Sequence, residues 1–296
     1  MPAAVLTYGL TKRYGRRTGI ESLDLEVRPG EVFGFIGPNG AGKTTTIRLL
    51  LDLLHPTSGK AQVLGHDTRT HSVLIRHKTG YLPGEFGLDP RVTARRLVTH
   101  FARLRGLTDL KYAFTLAQRL ELDLDLPCGR QSRGNRQKVG LLLALFHRPE
   151  LAVLDEPTTG LDPLMQETFL QIVREAQQEG RTVFLSSHIL SEVERVCERV
   201  AIVKQGRLVA VETMQSLRER RRRRVMVTFA EPIDPTPFAM LPTVSDVRYE
   251  GSTLWLRVGD GIDAVVKLAA QHTVNELVVE QPSLDEVFMT YYPAQA

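Results

Sequence analysis

A glycine-rich loop between an apolar run and a helix-like segment constrains this chain more than any other stretch. The loop reads GPNGAGKTT over residues 37–45, and the β-prone run VFGFI precedes it at 32–36. This is the GxxxxGK[ST] pattern in strand, loop, helix order. Glycines allow successive backbone N–H groups to turn toward one anion, and the dipole of the following helix favours the same charge. The sequence therefore predicts a cradle for the phosphates of a nucleoside triphosphate.

The residues of this loop have predicted roles in the cradle. Lys43 adds a full positive charge beside the phosphates, and the hydroxyl of Thr44 is placed to hold Mg²⁺. The predicted ATP-binding residues of the loop are Gly37, Pro38, Asn39, Gly40, Ala41, Gly42, Lys43, Thr44 and Thr45. Upstream, Tyr14 lies in a predicted turn, where its ring either stacks on an adenine base or packs against the protein.

The remaining pattern predicts an α/β fold with additions. Strand-like and helix-like segments alternate from the LAVL run at 151–154 to about residue 203, which indicates a parallel sheet. Alternating apolar and polar residues over 4–27 predict a small antiparallel sheet. Helical spacing over 93–105 and 109–120 predicts an inserted helical subdomain, about residues 85–148. We predict a nucleotide-binding domain over 1–217, an arginine-rich linker over 218–224 and a small α+β domain over 225–296.

Two further segments carry chemistry. Asp155 and Glu156 follow the predicted buried strand at 151–154, at the sheet edge where such folds place their ligands. We expect Asp155 to hold Mg²⁺ opposite Thr44, and Glu156 to deprotonate the attacking water as a general base. His188 follows the next strand along the chain, where it can reach the terminal phosphate.

Composition limits the alternatives. The chain has 296 residues, and its formal charge of +4 is too slight to imply a nucleic-acid partner. Its two cysteines, Cys128 and Cys197, lack the spacing of a zinc site and fit a reducing compartment. The N-terminus does not have the pattern of a signal peptide, so we expect a cytoplasmic protein. Five arginines at 220–224 fit an anionic lipid surface, nucleic acid, a partner's acidic face or a solvated linker.

The order of these motifs resembles one known family. GPNGAGKTT, then QSRGNRQK, LAVLDEP, TTGLD and SSH over residues 4–218 are similar to the motif series of ABC-transporter ATPase subunits. The resemblance implies a P-loop NTPase cassette with an antiparallel β subdomain and a helical subdomain, and an adenine-stacking role for Tyr14. It also implies that Asp162 crosses a dimer interface. The residues implied to bind the nucleotide of a second subunit are Ser132, Arg133, Gly134 and Asn135.

This sequence departs from the family pattern at two places. The signature is QSRGN at 131–135, whereas the family form is LSGGQ, so that Ser132 and Gly134 match and the other three positions differ. After Tyr81-Leu82-Pro83 the family carries a glutamine that contacts Mg²⁺ and couples to the membrane partner. Gly84 and Glu85 stand there instead, and the sequence leaves open whether Glu85 or Phe86 takes over that role.

The C-terminal segment PSLDEVFMTYY is similar to the extension found in exporter cassettes. The resemblance therefore implies the ATP-hydrolysing subunit of an exporter of drugs, antibiotics, lipids or similar substrates. Its implied partners are a second cassette, most simply another copy of this chain, and a separate membrane-spanning permease, with no nucleic acid. The implied location is the cytoplasmic face of the membrane. Two alternatives are a soluble cassette ATPase acting on nucleic acid or ribosomes, and a regulatory module that binds nucleotide without hydrolysing it.

Overall fold

The computed structural model describes residues 2–219, 223–259 and 261–281, together with residues 286, 288 and 291. Its contacts divide the chain into two compact units, residues 1–212 and residues 213–296. The domain limits predicted from the sequence stay predictions. Residues 220–222 of the arginine run, and most of the PSLDEVFMTYY segment, lie outside the described residues.

The first unit begins with a small antiparallel sheet. Its strands are β1 (Val5–Tyr14), β2 (Arg17–Val27), β4 (Ser58–Val63) and β5 (His66–Asp67), in the order β2-β1-β4-β5. Buried residues alternate with exposed ones along β2, where Leu23, Leu25 and Val27 enter the core. This alternation is expected of a sheet with one solvated face, and the predicted entry sheet is present.

A six-stranded sheet forms the centre of the first unit, in the order β10-β9-β3-β8-β7-β6. Its strands are β3 (Val32–Ile36), β6 (Thr79–Leu82), β7 (Leu151–Asp155), β8 (Thr182–Ser187), β9 (Arg199–Lys204) and β10 (Arg207–Thr213). The pairs β9–β3, β3–β8, β8–β7 and β7–β6 are parallel. Every residue of β3, β7 and β8 is buried, as expected for central parallel strands. The carboxyl ends of these strands meet at one edge.

Helices connect these strands. They are α1 (Lys43–Leu50), α2 (Ser72–Lys78), α3 (Ala94–Leu104), α4 (Lys111–Arg119), α5 (Arg133–Leu145), α6 (Pro163–Gln178) and α7 (Leu190–Glu194). Three begin with a side-chain cap: Thr93 caps α3, Ser132 caps α5, and Asp162 caps α6 ahead of Pro163. With the two sheets, they confirm the predicted fold class, an α/β cassette with an antiparallel sheet and inserted helices.

The second unit combines a sheet with short helices. After α8 (Met214–Glu219) come β11 (Arg223–Phe229), α9 (Thr236–Ala239), β12 (Val244–Glu250), β13 (Thr253–Val258), α10 (Asp263–Ala269) and β14 (Val274–Glu280). The strand order β12-β13-β11-β14 and the β-α-β-β-α-β succession are those of a ferredoxin-like fold. Phe229 and Phe238 lie in its own hydrophobic core. This confirms the predicted small α+β character of the C-terminal part.

Within the described parts of the chain, every helix is too short or too polar to cross a bilayer.

Candidate nucleotide-binding and hydrolytic site

The predicted site residues converge at the carboxyl ends of the parallel strands. Asp155 is the last residue of β7, and His188 directly follows β8. An open cavity of about 740 Å³ lies here. The predicted residues that line it are Tyr14, Asn39, Gly40, Gly42, Lys43, Thr44, Thr45, Arg133, Asp155, Glu156 and His188. Most of the predicted nucleotide site is therefore assembled within a single chain.

The loop before α1 depends on glycine for steric reasons. Gly42 has a φ of 105°, in the left-handed region that favours glycine, and it occupies the N-cap position of α1. A Cβ at Gly42 would lie 2.7 Å from the carbonyl oxygen of Gly19, and one at Gly37 would overlap the carbonyl oxygen of Val203. The backbone thus passes too close to neighbouring strands for any side chain. This packing aims the N-terminus of α1 at the cavity, where its unpaired N–H groups favour an anion.

Lys43 is buried at the first turn of α1, with only 6% of its side chain exposed. Its Nζ donates to the carbonyl oxygens of Gly37 at 2.7 Å and Pro38 at 3.4 Å. The same ammonium lies 3.1 Å from Oε1 of Glu156. Lys43 therefore holds the loop in shape and also pairs with the carboxylate across the cavity.

Asp155 is fully buried and is held by two hydroxyl groups. Thr44 Oγ1 donates to its Oδ2 at 2.7 Å, and Ser186 Oγ donates to its Oδ1 at 2.5 Å. A hydroxyl oxygen beside a carboxylate is the donor set that hard cations such as Mg²⁺ prefer. The residues present thus fit the metal site predicted at Thr44 and Asp155.

Glu156 is held in an unusual backbone conformation. Its φ is 52°, which costs free energy for any residue with a Cβ. Its N–H donates to the carbonyl oxygen and to Oγ of Ser186, each at 3.2 Å. This conformation brings the carboxylate to the cavity, where 19% of the side chain stays accessible. A strained residue at the wall of a cavity is typical of a functional site.

His188 completes the polar wall. Its Nδ1 lies 2.6 Å from Oε2 of Glu156, so an N–H there donates to the carboxylate. The two loops on either side are tied together by Glu192, whose Oε2 accepts from Thr158 at 2.7 Å and from Ser187 at 3.1 Å. Thr158 lies two residues after Glu156 and Ser187 one residue before His188. The carboxylate of Glu192 therefore fixes the spacing between these two groups.

Tyr14 ends β1 at the rim of the cavity. It is 46% exposed, and Lys12 Nζ lies 5.4 Å from the centre of its ring. The edge of the ring approaches Gly19, where a Cβ would lie 2.8 Å from the ring carbon Cε2. The edge of the ring thus contacts β2, and the exposed part of the side chain remains available to a base.

The predicted signature residues lie at the start of α5. Ser132 Oγ accepts from the N–H of Asn135 at 3.1 Å and so caps the helix. Gly134 packs against the loop after Glu156, since a Cβ there would lie 2.7 Å from the carbonyl oxygen of Gly160. Arg133 extends along Gly160 to the cavity rim. Of this group, Ser132, Gly134 and Asn135 are not among the residues that line the cavity of their own chain.

Asp162 also lies away from the cavity. Its Oδ1 accepts from the N–H of Met165 at 3.0 Å and caps α6. Its predicted role across a dimer interface stays a prediction, and within one chain it stabilises a helix start.

Gly84 and Glu85 stand where the family carries glutamine, and both line the cavity. A Cβ on Gly84 would lie 3.2 Å from Oδ2 of Asp155, so this position directly borders the predicted metal site. Tyr81, three residues before Gly84, is partly buried. Burial, together with the negative charge of Asp155, raises the pKa of its phenol, which stays protonated at neutral pH. Phe86 instead packs on Gly140 of α5, where a Cβ would collide with its ring.

Several residues of this site were not predicted from the sequence. Arg17 and Arg48 line the cavity, and Ser186 holds Asp155 and Glu156. Ser186 is the first serine of the SSH segment. It pairs with Asp155 in the register of the parallel strands β7 and β8, so its position could have been predicted from the pairing of these two strands. Arg17 and Arg48 carry no sequence signal that separates them from other surface arginines.

Comparison with known proteins agrees with this geometry. Residues 20–159 match the family model described as ABC transporter. The chain is 32% identical over 287 residues to the Nod factor export ATP-binding protein I of Rhizobium sp. (strain N33), covering 95% of this chain and 94% of that protein. It is 34% identical over 226 residues to the bacitracin transport ATP-binding protein BcrA of Bacillus licheniformis, covering 75% of this chain and 74% of that protein.

Solved structures show the same fold. A structure described as the ATP-binding subunit of an ABC transporter superposes with a TM-score of 0.68 at 30% identity, over 73% of this chain and 92% of that chain. A dimeric, post-hydrolysis structure of the cassette MJ0796 bound to ADP and Pi superposes with a TM-score of 0.66 at 24% identity, over 71% of this chain and 98% of that chain. With the cradle, the paired carboxylates and the histidine in place, this chain belongs to the ABC transporter family as an ATP-binding subunit that hydrolyses ATP.

Proposed function

We propose that this chain powers an ABC exporter as one of two identical ATPase subunits beneath a separate membrane-spanning permease. The observation that carries this proposal is the convergence of Lys43, Thr44, Asp155, Glu156 and His188 around one cavity. A cation, a metal-binding pair and a hydrogen-bonded base are the parts that phosphoryl transfer to water needs.

The nucleotide occupies the cavity with its phosphates at the N-terminus of α1. Backbone N–H groups of residues 37–45 and the ammonium of Lys43 neutralise the phosphates. Thr44 and Asp155 would hold Mg²⁺, which would neutralise part of the charge of the phosphates when it is bound. Tyr14 stacks on the base.

Glu156 acts as the general base toward the attacking water. Its carboxylate is accessible, and the N–H of His188 Nδ1, 2.6 Å away, fixes the orientation of one oxygen. A proton taken from water would be held on this carboxylate. Lys43 and His188, on either side of Glu156, stabilise the negative charge that develops on the phosphates.

A second copy of the chain completes the site. Ser132, Gly134 and Asn135 stand at the N-terminus of a helix, a place that favours an anion, but they do not line the cavity of their own chain. We propose that these residues, with Arg133, face the nucleotide of the partner subunit, and that Asp162 crosses the interface beside them. ATP is then enclosed between two subunits.

The proposal that this subunit serves an exporter is supported by how much of the chain matches an export protein. The match to the Nod factor export protein spans 95% of this chain, so it includes the second unit as well as the cassette. The bacitracin transport protein adds a second relative whose name refers to transport. We propose drugs, antibiotics, lipids or similar compounds as the exported class.

The permease contact is proposed at an apolar groove of the first unit. This groove, of about 290 Å³, lies between the end of α1, β6, α3 and α5, and Phe86, Phe101 and Phe146 contribute to its walls. Phe86 follows directly on Gly84 and Glu85, which border the nucleotide cavity. A cytoplasmic segment of the permease seated in this groove would therefore contact the loop that reaches Asp155. The chain would lie at the cytoplasmic face of the membrane through this contact.

The proposal is tested with the full chain and its membrane partner. The chain is expected to co-purify from detergent-solubilised membranes with a protein of several membrane spans, and compounds of the exported class should stimulate phosphate release by the reconstituted pair. Phe101→Glu should abolish the stimulation and leave basal ATPase activity within about twofold. Tyr8→Glu, an exposed aromatic in the antiparallel sheet, is the matched control.

Two results would overturn the proposal. ATPase activity stimulated by RNA without any membrane protein would favour the soluble nucleic-acid ATPase. Tight nucleotide binding without phosphate release would favour the regulatory module.

A further inference from the structure

Gln137, on the second turn of α5, reaches out of its own helix to the backbone around Glu156. Only 8% of the residue is exposed. Its Nε2 donates to the carbonyl oxygen of Pro157 at 3.0 Å and to that of Glu156 at 3.4 Å. One amide group therefore holds the two carbonyls that follow the proposed base.

These contacts act on a peptide that is under strain. Glu156 has a φ of 52°, a conformation that persists only where the surrounding structure enforces it. On its N-terminal side, the N–H of Glu156 donates to Ser186. On its C-terminal side, Gln137 supplies the donor to its carbonyl oxygen. The residue is thus held from both sides by side chains or strands that are themselves buried.

The direction of the Glu156 carboxylate depends on this backbone. Relaxation of φ at Glu156 to a negative value would move its carbonyl group and its Cβ together, and would turn the carboxylate away from Lys43 and His188. Helix α5 is rigid at this point because residues 137–142 are all buried. A hydrogen-bond donor on a rigid helix can hold the position of a reactive group to within a fraction of an ångström.

We propose that Gln137 is a positioning residue for ATP hydrolysis, acting through the backbone of Glu156. The inference rests on the proposed role of Glu156 as the general base. It assigns to α5 a function at its own chain's carboxylate, in addition to the function of its N-terminus toward the partner subunit.

Gln137→Met tests the inference, because methionine keeps the length of the side chain but has no N–H donor. We expect kcat for ATP to fall about 10-fold or more while KM stays within about threefold, since misplacing a general base forfeits part of its usual 10²–10⁴-fold contribution. Thr7→Val is the matched control. Thr7 is a buried hydroxyl that donates to Leu23 at 2.7 Å in the antiparallel sheet, and its loss should leave kcat unchanged.

Gln137→Glu adds a second readout, the pH dependence of activity, which would not change if Gln137 had only a structural role. Its carboxylate faces two carbonyl oxygens and can donate only when protonated. The activity of this variant, divided by that of Gln137→Met, should therefore rise as the pH falls. A ratio independent of pH, or wild-type kcat in Gln137→Met, would overturn the inference.

A double-mutant cycle separates this inference from the proposed function. If both residues act through one carboxylate, adding Gln137→Met to Glu156→Gln should lower the single-turnover rate by less than twofold further. A full additional 10-fold loss would assign Gln137 a role independent of Glu156 and overturn the inference. Wild-type turnover in Glu156→Gln alone would instead remove the proposed base.

Discussion

Replacing Glu156 by glutamine should separate nucleotide binding from hydrolysis in this protein. The carboxylate lies 3.1 Å from the buried ammonium of Lys43, which must turn to the phosphates when nucleotide binds. Glutamine keeps the shape of the side chain but removes its charge. The substitution therefore frees Lys43 for the phosphates and takes one negative charge out of an anion-binding cavity.

The size of the binding effect follows from this ion pair. A hydrogen bond between charged groups contributes about 1.5–3 kcal/mol, and each 1.4 kcal/mol corresponds to a factor of ten in affinity. We expect Glu156→Gln to bind a non-hydrolysable ATP analogue with Mg²⁺ about 10- to 100-fold more tightly than the wild type. Turnover should fall about 10²–10⁴-fold, since the general base is lost.

Isothermal titration with the analogue, beside phosphate release from ATP, measures both effects on the full chain. Glu150→Gln is the control, because it removes a carboxylate that pairs with Lys78 at 3.0 Å on the surface. Affinity that is unchanged or weaker in Glu156→Gln would refute the competition for Lys43. Turnover within twofold of the wild type would refute the assignment of the base.

Three further predictions concern the metal site, pH dependence and the second unit. Thr44→Val removes the hydroxyl that donates to Asp155 at 2.7 Å, so the gain in nucleotide affinity on adding Mg²⁺ should shrink about 10-fold in titrations with and without EDTA. Burial, followed by the charge of Arg105, lowers the pKa of His147 to about 4, so the folded chain resists its protonation. Because the unfolded chain protonates this histidine near its ordinary pKa of about 6.5, stability should fall as the pH drops from about 6.5 to 4, by at most roughly 3 kcal/mol. A scan of melting temperature against pH should show a smaller acid loss in His147→Leu, and equal losses would contradict this explanation. Phe238→Ala empties a fully buried position in the second unit and should destabilise that unit by about 3–5 kcal/mol. The chain's single tryptophan, Trp255, lies in this unit and reports its unfolding by fluorescence, whereas retained nucleotide affinity shows that the first unit is intact.

The sequence predicted the site best where its chemistry is local. Lys43 and Thr44 lie in one loop whose spacing alone identifies a phosphate cradle. Asp155, Glu156 and His188 lie at strand ends, so a parallel sheet was enough to bring them together. The buried strand β3 and the first four residues of β7 are apolar runs, VFGFI and LAVL, and runs of this kind predict central strands from local sequence alone.

Other features of the fold and of the site depend on tertiary contacts that no sequence pattern predicts. Gln137 and Glu192 each reach a different element, and each looks like an ordinary polar residue of an amphipathic helix. The positive φ of Glu156 is not predictable from its residue type, because glutamate rarely adopts it. Helix α7 is short, Leu190–Glu194, and Ile189 supplies no side-chain cap for its start. Strand β10 and helix α9 were not predicted.

The exposed ring of Tyr14 bears on which nucleoside triphosphates this ATPase subunit accepts. An aromatic face holds any base, since stacking does not read the hydrogen-bonding edges by which adenine and guanine differ. The phosphates, in contrast, meet a buried ammonium and a row of backbone donors fixed by close packing at Gly37 and Gly42. The site should therefore discriminate between nucleotides by their number of phosphates and not by the identity of the base. GTP and CTP should drive turnover with KM values within about 10-fold of that for ATP, because stacking contributes only about 1–3 kcal/mol per base. In a cell, the rate of export would then follow the total pool of nucleoside triphosphates.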